Sequence, residues 1–322
     1  MLRQLASLGF GLHHRADPPA PRPSRSRRIE STLSNQPGKD KIQLDIWQPP
    51  SATRNAKARP CVIVFHGGGF VLGSGTDDAR WAAVLMDQLD AIVIAVNYRV
   101  APGYPFPTPV EDCADGILHV IKNAKTYGVD PDKIVVSGFS AGGNLALASY
   151  FLLASPGNWD YPDFDTTPYR IRGIVLFYPL LDFTITRKDK KESSSRPDFC
   201  LPDSMTSLFD QSYLHPASDR SDPRISPGLA PDDMLSKLPP LHLCCCEWDM
   251  LYNEAAVFKD RLVALGKEVV WREVKKEKHA WDKPPPLAPK KSVVEEYVEA
   301  VQSVKRWLGG DGVGPERGLG AG

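Results

Sequence analysis

Along this chain, short apolar runs alternate with longer stretches of helical period. Residues 42–47 alternate apolar and polar positions, as a strand with one buried face does. Residues 61–65, 91–96, 134–136, 171–177 and 241–246 are continuous apolar runs, as strands covered on both faces are. A more exposed strand is expected at 268–274. Between these runs the period changes to that of helices, at 78–89, 110–127, 141–153, 252–265 and 293–308. Strands alternating with helices predict an α/β fold whose mostly parallel sheet is covered by helices on both faces.

One stretch breaks the alternation. From about 182 to 238 there is no strong strand signal, and prolines and short polar clusters are frequent. That is too long for a plain loop in a compact domain, so a helical cap insertion is expected. Residues 1–28 read as a flexible, basic, proline-rich arm, 29–308 as the folded domain and 309–322 as a disordered glycine-rich tail.

Composition narrows the function classes. Lys and Arg total 39 and so do Asp and Glu, so net charge gives no reason to expect nucleic acid or an anionic membrane as partner. No apolar run reaches the length of a membrane span. Cys244, Cys245 and Cys246 are consecutive in one apolar run and would point to alternate faces, a poor disulfide framework. With no Cys-x-x-Cys pair there is no basis for a metal site, and the cysteines suit a reducing, cytoplasmic setting. The arginines of the arm would also suit mitochondrial import, which its prolines argue against.

Gly138-Phe139-Ser140-Ala141-Gly142 matches G-x-S-x-G. Alone the match is weak. Here a buried strand ends directly before it and an Ala/Leu-rich helix begins directly after it. Such a sharp turn lifts a serine hydroxyl clear of the sheet and aims the free amides of the helix N-terminus at the reaction centre. Ser140 is therefore the candidate nucleophile. About seventy residues earlier, His66-Gly67-Gly68-Gly69-Phe70 follows another buried strand. Attack by serine on a carbonyl creates an oxyanion, which fixed N–H donors stabilise. Gly68 and Gly69, with Ala141, are the candidate oxyanion hole, and Gly67 is a near alternative. His66 heads the loop and is expected to pin it.

These segments resemble the hormone-sensitive-lipase-like esterases of the α/β-hydrolase fold. The resemblance covers roughly residues 42–308. It rests on His66-Gly-Gly-Gly-Phe-Val-Leu-Gly-Ser74, on Asn97-Tyr-Arg-Val-Ala-Pro-Gly-Tyr-Pro-Phe-Pro107 with Glu111-Asp112, and on Gly138-Phe-Ser-Ala-Gly-Gly-Asn144. The family usually carries an acidic residue where Phe139 stands and glutamate where Gly103 stands. Phe139 is expected to meet the insertion. The resemblance implies an α/β-hydrolase fold and a serine esterase acting on a small or medium ester.

Chain order in α/β-hydrolases runs Ser, then Asp or Glu, then His. Only His215, His242 and His279 follow Ser140. His242 lies within a strand and His215 within the insertion. His279, just after the last strand, is where the family places its base. Asp249, just past the strand at 241–246, is the candidate acid. Glu247 and Glu254 compete, Glu254 being better placed to stabilise the start of the next helix.

The expected chemistry is ester hydrolysis through an acyl-enzyme, with no cofactor or metal. An amidase or formamidase with the same triad, and a small-molecule receptor on the same fold, are the other readings. The aromatic residues of the insertion and of 159–164 read either as packing or as a lid over an apolar pocket. A monomer and a homodimer are left open.

Overall fold

The computed structural model describes residues 19–53, 57–164, 168–283 and 290–309. The arm at 1–18 and the tail at 310–322, with the import and disorder readings placed on them, lie outside the described residues.

Eight strands form one sheet in the order β1-β2-β4-β3-β5-β6-β7-β8. They are β1 (Arg25–Ser31), β2 (Gly38–Trp47), β3 (Arg59–Phe65), β4 (Ile92–Asn97), β5 (Val129–Phe139), β6 (Ile171–Phe177), β7 (Leu241–Cys246) and β8 (Val269–Val274). β2 runs antiparallel to both of its neighbours, and the pairs from β4 through β8 are parallel. The helices are α1 (Ala79–Leu89), α2 (Thr108–Lys122), α3 (Ala124–Tyr127), α4 (Ala141–Ala154), α5 (Arg187–Ser193), α6 (Asp203–Tyr213), α7 (Asp232–Leu235), α8 (Tyr252–Ala264) and α9 (Lys291–Gly309).

The sheet divides two cores. Cys61, Ile63 and Phe65 of β3 face one core with α2, α4 and α8. Val62 and Val64 face the other with α1 and α9. This is the two-residue alternation of a strand, hidden in the sequence because both faces are apolar. α4 is buried from Ala141 through Leu153, so it lacks the polar stripe of a surface helix. Cys244, Cys245 and Cys246 are all buried in β7 as packing residues.

β1 corrects the reading of 1–28 as a flexible arm, because Arg25 to Arg28 already pair with β2. Of its seven residues only Ile29 and Ser31 are buried. An edge strand tolerates exposed charge on most positions, so no apolar alternation marks it. At the other end α9 extends through Gly309, one residue into the expected tail.

Residues 182–238, between β6 and β7, carry α5, α6 and α7 and no strand. They are fastened to the sheet domain at several points. Lys190 of α5 and Glu254 of α8 form a buried ion pair. The Tyr213 ring of α6 stacks on Phe70 with centroids 3.7 Å apart. Ser195 donates to the Glu247 carbonyl at 2.9 Å, and Asn253 to the Ser193 carbonyl at 2.9 Å. Glu254 thus pins this segment, a role its place in the first turn of α8 did not reveal. Among the described residues no helix is long and apolar enough to cross a membrane.

His242 is fully buried in β7, with Nδ1 2.9 Å from Ser303 Oγ of α9. Burial first, then Arg272 and Arg306, pushes its pKa down to about 3. The unfolded chain takes up that proton near pH 6.5, the folded chain only near pH 3. Between those values the unfolded state binds more protons, so the stability tied to His242 is complete above about pH 6.5 and declines on acidification. His242→Gln should flatten the dependence, reducing the loss between pH 7 and pH 5 by about 2 kcal/mol. Urea denaturation of both proteins at the two pH values checks this, and equal losses would refute it.

Candidate active site

Three loops at the C-terminal edge of the sheet build the site. Ser140 follows β5 directly, at φ 52° and ψ −116°, a conformation that L-residues rarely adopt. The turn is possible because α4 comes very close to β3. A Cβ on Gly142 would lie 2.0 Å from the Phe65 carbonyl oxygen. Asn144, one turn into α4, donates to the carbonyls of Leu180 at 2.9 Å and Ile225 at 2.8 Å. The helix is thereby tied to the β6–β7 connection at two points 45 residues apart in the chain.

Ser140 Oγ lies 2.8 Å from His279 Nε2. His279 Nδ1 lies 2.5 Å from Asp249 Oδ2, and the other oxygen of Asp249 accepts the Leu251 amide at 3.0 Å. The Asp249 side chain is 1% exposed and that of His279 7%. An aspartate facing Nδ1 fixes the proton there and leaves the Nε2 lone pair toward the serine. The three residues chosen from sequence therefore meet in hydrogen-bonding order. His215 and His242 do not reach the site, and Glu247 instead accepts the Lys276 amide at 2.7 Å.

The glycine loop lies beside them. Gly67, Gly68, Gly69 and Ala141 line the same cavity as Ser140 and His279. Gly68 and Gly69 adopt φ of 113° and 61°, which glycine accepts without strain. The loop is pinned at its head. His66 is 1% exposed, places Nδ1 2.8 Å from the Gly67 carbonyl oxygen, and stacks on Tyr98 at 4.1 Å. Burial lowers its pKa, which suits a neutral structural imidazole.

The cavity has a volume of about 250 Å³. Its wall away from the sheet is formed by Arg187, Leu201, Met205, Thr206 and Phe209 from the β6–β7 connection and by Leu251 after Asp249, and it is apolar except at Arg187 and Thr206. Phe209 sits on the glycine loop, since a Cβ at Gly69 would be 2.2 Å from its ring. Of the aromatic residues read either as packing or as a lid, Phe209 lines the cavity. Phe183 and Tyr213 pack on Phe70, Phe199 lies against Trp248, and Trp159 lies under Arg224. Packing was the better reading for most of them.

Phe139 is a correction. It is fully buried and stacks on Phe177 at 4.6 Å, on the face of the sheet where α9 packs, rather than against the insertion. Sequence reasoning also missed Tyr178 and Lys283, which line the cavity. Nothing in their local pattern marks them, because they enter the site only through tertiary packing.

The backbone at Ser140 stores strain, of order 1–3 kcal/mol for such a residue. Glycine releases it at an entropic cost of roughly 0.5–1 kcal/mol. Ser140→Gly should therefore be more stable than Ser140→Ala by about 1 kcal/mol, although both lack the hydroxyl. Denaturant midpoints compare the two variants directly, and a less stable glycine variant would show that the turn is unstrained.

The chain is similar to known proteins. A family described by the alpha/beta hydrolase fold matches residues 62–283. A carboxylesterase of Mycobacterium tuberculosis is 32% identical over 249 residues, covering 75% of this chain and 72% of that protein. An AB hydrolase superfamily protein of Schizosaccharomyces pombe is 33% identical over 223 residues, which is 68% of this chain. The chain spans 62% of that relative's length. Among solved structures, a thermophilic carboxylesterase cloned from a metagenomic library superposes with a TM-score of 0.76 at 28% identity, covering 95% of this chain and 96% of that one. With the family match spanning more than half of its length, the chain belongs to the hormone-sensitive-lipase-like family of α/β-hydrolases.

Proposed function

We propose that this protein is a serine carboxylic-ester hydrolase acting on small, apolar acyl or aryl esters through an acyl-enzyme. The observation that carries the reading is the line from Ser140 Oγ to His279 Nε2 at 2.8 Å and from His279 Nδ1 to Asp249 at 2.5 Å, opening on a cavity edged by glycine amides.

His279 removes the hydroxyl proton as Ser140 attacks the ester carbonyl. The carbonyl oxygen becomes an oxyanion, which the amides of Gly68, Gly69 and Ala141 stabilise, the Gly67 amide being the near alternative. Removing one such donor in related chemistry costs about 3–4 kcal/mol of barrier. His279 then gives its proton to the departing alcohol, leaving an acyl group on Ser140. Water enters, loses a proton to His279 and attacks the acyl carbonyl, and the serine is regenerated. Asp249 orients the imidazole and stabilises the imidazolium in both halves.

The size and lining of the cavity support the substrate class. At about 250 Å³ it falls below the roughly 300–1,000 Å³ of pockets that hold drug-sized ligands. Leu201, Met205, Phe209 and Leu251 offer apolar surface. Residues 182–238 act in this reading as a fixed cap that shapes the pocket. The Lys190–Glu254 pair and the Tyr213–Phe70 stack hold that wall in place, so hydrolysis needs no lid to open at a lipid surface. The intact hydrogen-bonded line weighs against a non-catalytic receptor. Amides would use the same residues, with a harder demand on His279 to protonate the leaving amine.

Kinetics on p-nitrophenyl esters of increasing acyl length, with p-nitroacetanilide as the matched amide, tests this. Acetate and butyrate should exceed dodecanoate in kcat/KM, the ester should exceed the amide, and Ser140→Ala should lose at least about 10³-fold in kcat. A folded wild type inactive across the series, or a Ser140→Ala variant as fast as wild type, would overturn the proposal.

A further inference from the structure

Beneath the site lies a buried polar cluster that the hydrolytic steps do not use. Asp78, at the start of α1, faces Lys283 Nζ at 2.6 Å. Asp282 faces the same ammonium at 2.9 Å. Asp282 also accepts the hydroxyls of Tyr178 at 2.5 Å and of Tyr297, on α9, at 2.6 Å. Asp78, Tyr178, Asp282 and Tyr297 are all buried, and the Lys283 side chain is 11% exposed.

The cluster touches both halves of the reacting pair. Lys283 Nζ lies 3.5 Å from the ring centroid of Phe139, the residue directly before Ser140. The Tyr178 ring meets the His279 ring edge-on at 4.8 Å, and Trp281 meets Tyr178 at 5.6 Å. Lys283 is also four residues from His279 on the same loop. One ammonium thus joins the floor of the serine turn to the loop that carries the imidazole.

Lys283 lines the cavity, which invites a role in binding substrate. Its bonding argues otherwise. An ammonium has three N–H groups, and this one faces two carboxylates and an aromatic face. Burial works against its charge, but Asp282 and Asp78 more than offset that, so its pKa lies above the ordinary lysine value. A buried ion triad is a costly way to fill space, since apolar residues of the same volume often pack at least as stably. What it adds is direction: each bond fixes an angle as well as a distance.

We propose that Lys283, clamped by Asp78 and Asp282, is a positioning residue that holds the His279 loop in register with the Ser140 turn. It acts through Phe139 and Tyr178 and touches no reacting atom. The inference rests on the hydrolase reading, in which His279 is the base.

Two variants and one control test it. Lys283→Met removes the clamp. Tyr297→Phe, on α9, removes a single bond to Asp282 and keeps the protein folded should the first variant fail to fold. Ser303→Ala breaks another buried contact of α9, to His242, and controls for loosening of that helix. The readouts are kcat and KM on p-nitrophenyl acetate, and the low-field NMR resonance of the proton between His279 Nδ1 and Asp249. Lys283→Met should lower kcat by roughly 10-fold or more with KM nearly unchanged, because small misplacements of reacting groups carry large rate penalties. Its low-field resonance should broaden or vanish. Tyr297→Phe should show the same pattern more weakly, and Ser303→Ala should match wild type in both.

Folded Lys283→Met and Tyr297→Phe proteins with wild-type kcat and an unshifted resonance would overturn the inference. So would a Ser303→Ala variant that loses as much as Tyr297→Phe. The resonance needs no substrate, which separates the two claims. If wild type hydrolyses nothing yet Lys283→Met still loses the resonance, the clamp stands and the esterase reading falls.

Discussion

The hydrogen bond from Ser140 to His279 joins groups 139 residues apart in the chain and tolerates little error at either end. Ser140 must be lifted off the end of β5 by a turn with positive φ. That turn requires α4 to lie almost against β3, which in turn requires Gly142. His279 must be held out from the end of β8 on a loop with no regular structure of its own. Much of the molecule can be understood as meeting those two demands at once. The parallel strands present their ends on one edge, Asp249 stands at the next strand end, and the cluster around Lys283 closes the gap from below.

The same demand explains where polar groups are buried. The interior is apolar by default, and each buried charge carries a desolvation cost. Several of the buried charges lie at joints. Arg99 and Asp112 lie 2.7 Å apart, and Arg99 also holds Ser31, tying the segment after β4 to the edge strand β1. Lys190 and Glu254 tie the β6–β7 connection to α8. Asp78, Asp282 and Lys283 lie between the His279 loop and the Ser140 turn. Each is a place where two segments distant in sequence must keep a fixed relation, and a directional bond does that better than apolar contact.

Sequence revealed the elements whose character is set locally. Residues 61–65 and 241–246 show as buried strands because both faces of each are apolar. Ser140 could be chosen from its glycine-framed turn between strand and helix, whereas Asp249 and His279 were chosen from strand ends together with the chain order and family resemblance. β1 was missed because an edge strand rich in arginine carries no apolar signature. Phe139 was assigned to the wrong face, because which side of the sheet a residue faces depends on the pairing register, and residues 134–139 are apolar or small on both sides. Glu254 was read by its helix position, yet its partner is Lys190, sixty-four residues earlier. Lys283 lies in an unremarkable polar loop, and only the fold brings Phe139 beneath it.

The most direct test of the central claim is the structure of an adduct with a small organophosphonate. The phosphoryl group stands in for the tetrahedral intermediate, so its position reports the whole site at once. If the site works as described, phosphorus is bonded to Ser140 Oγ, and the phosphonyl oxygen lies about 3 Å from the amides of Ala141 and the Gly68–Gly69 turn. Phosphorus on another residue, or an oxygen turned away from those amides, would contradict it.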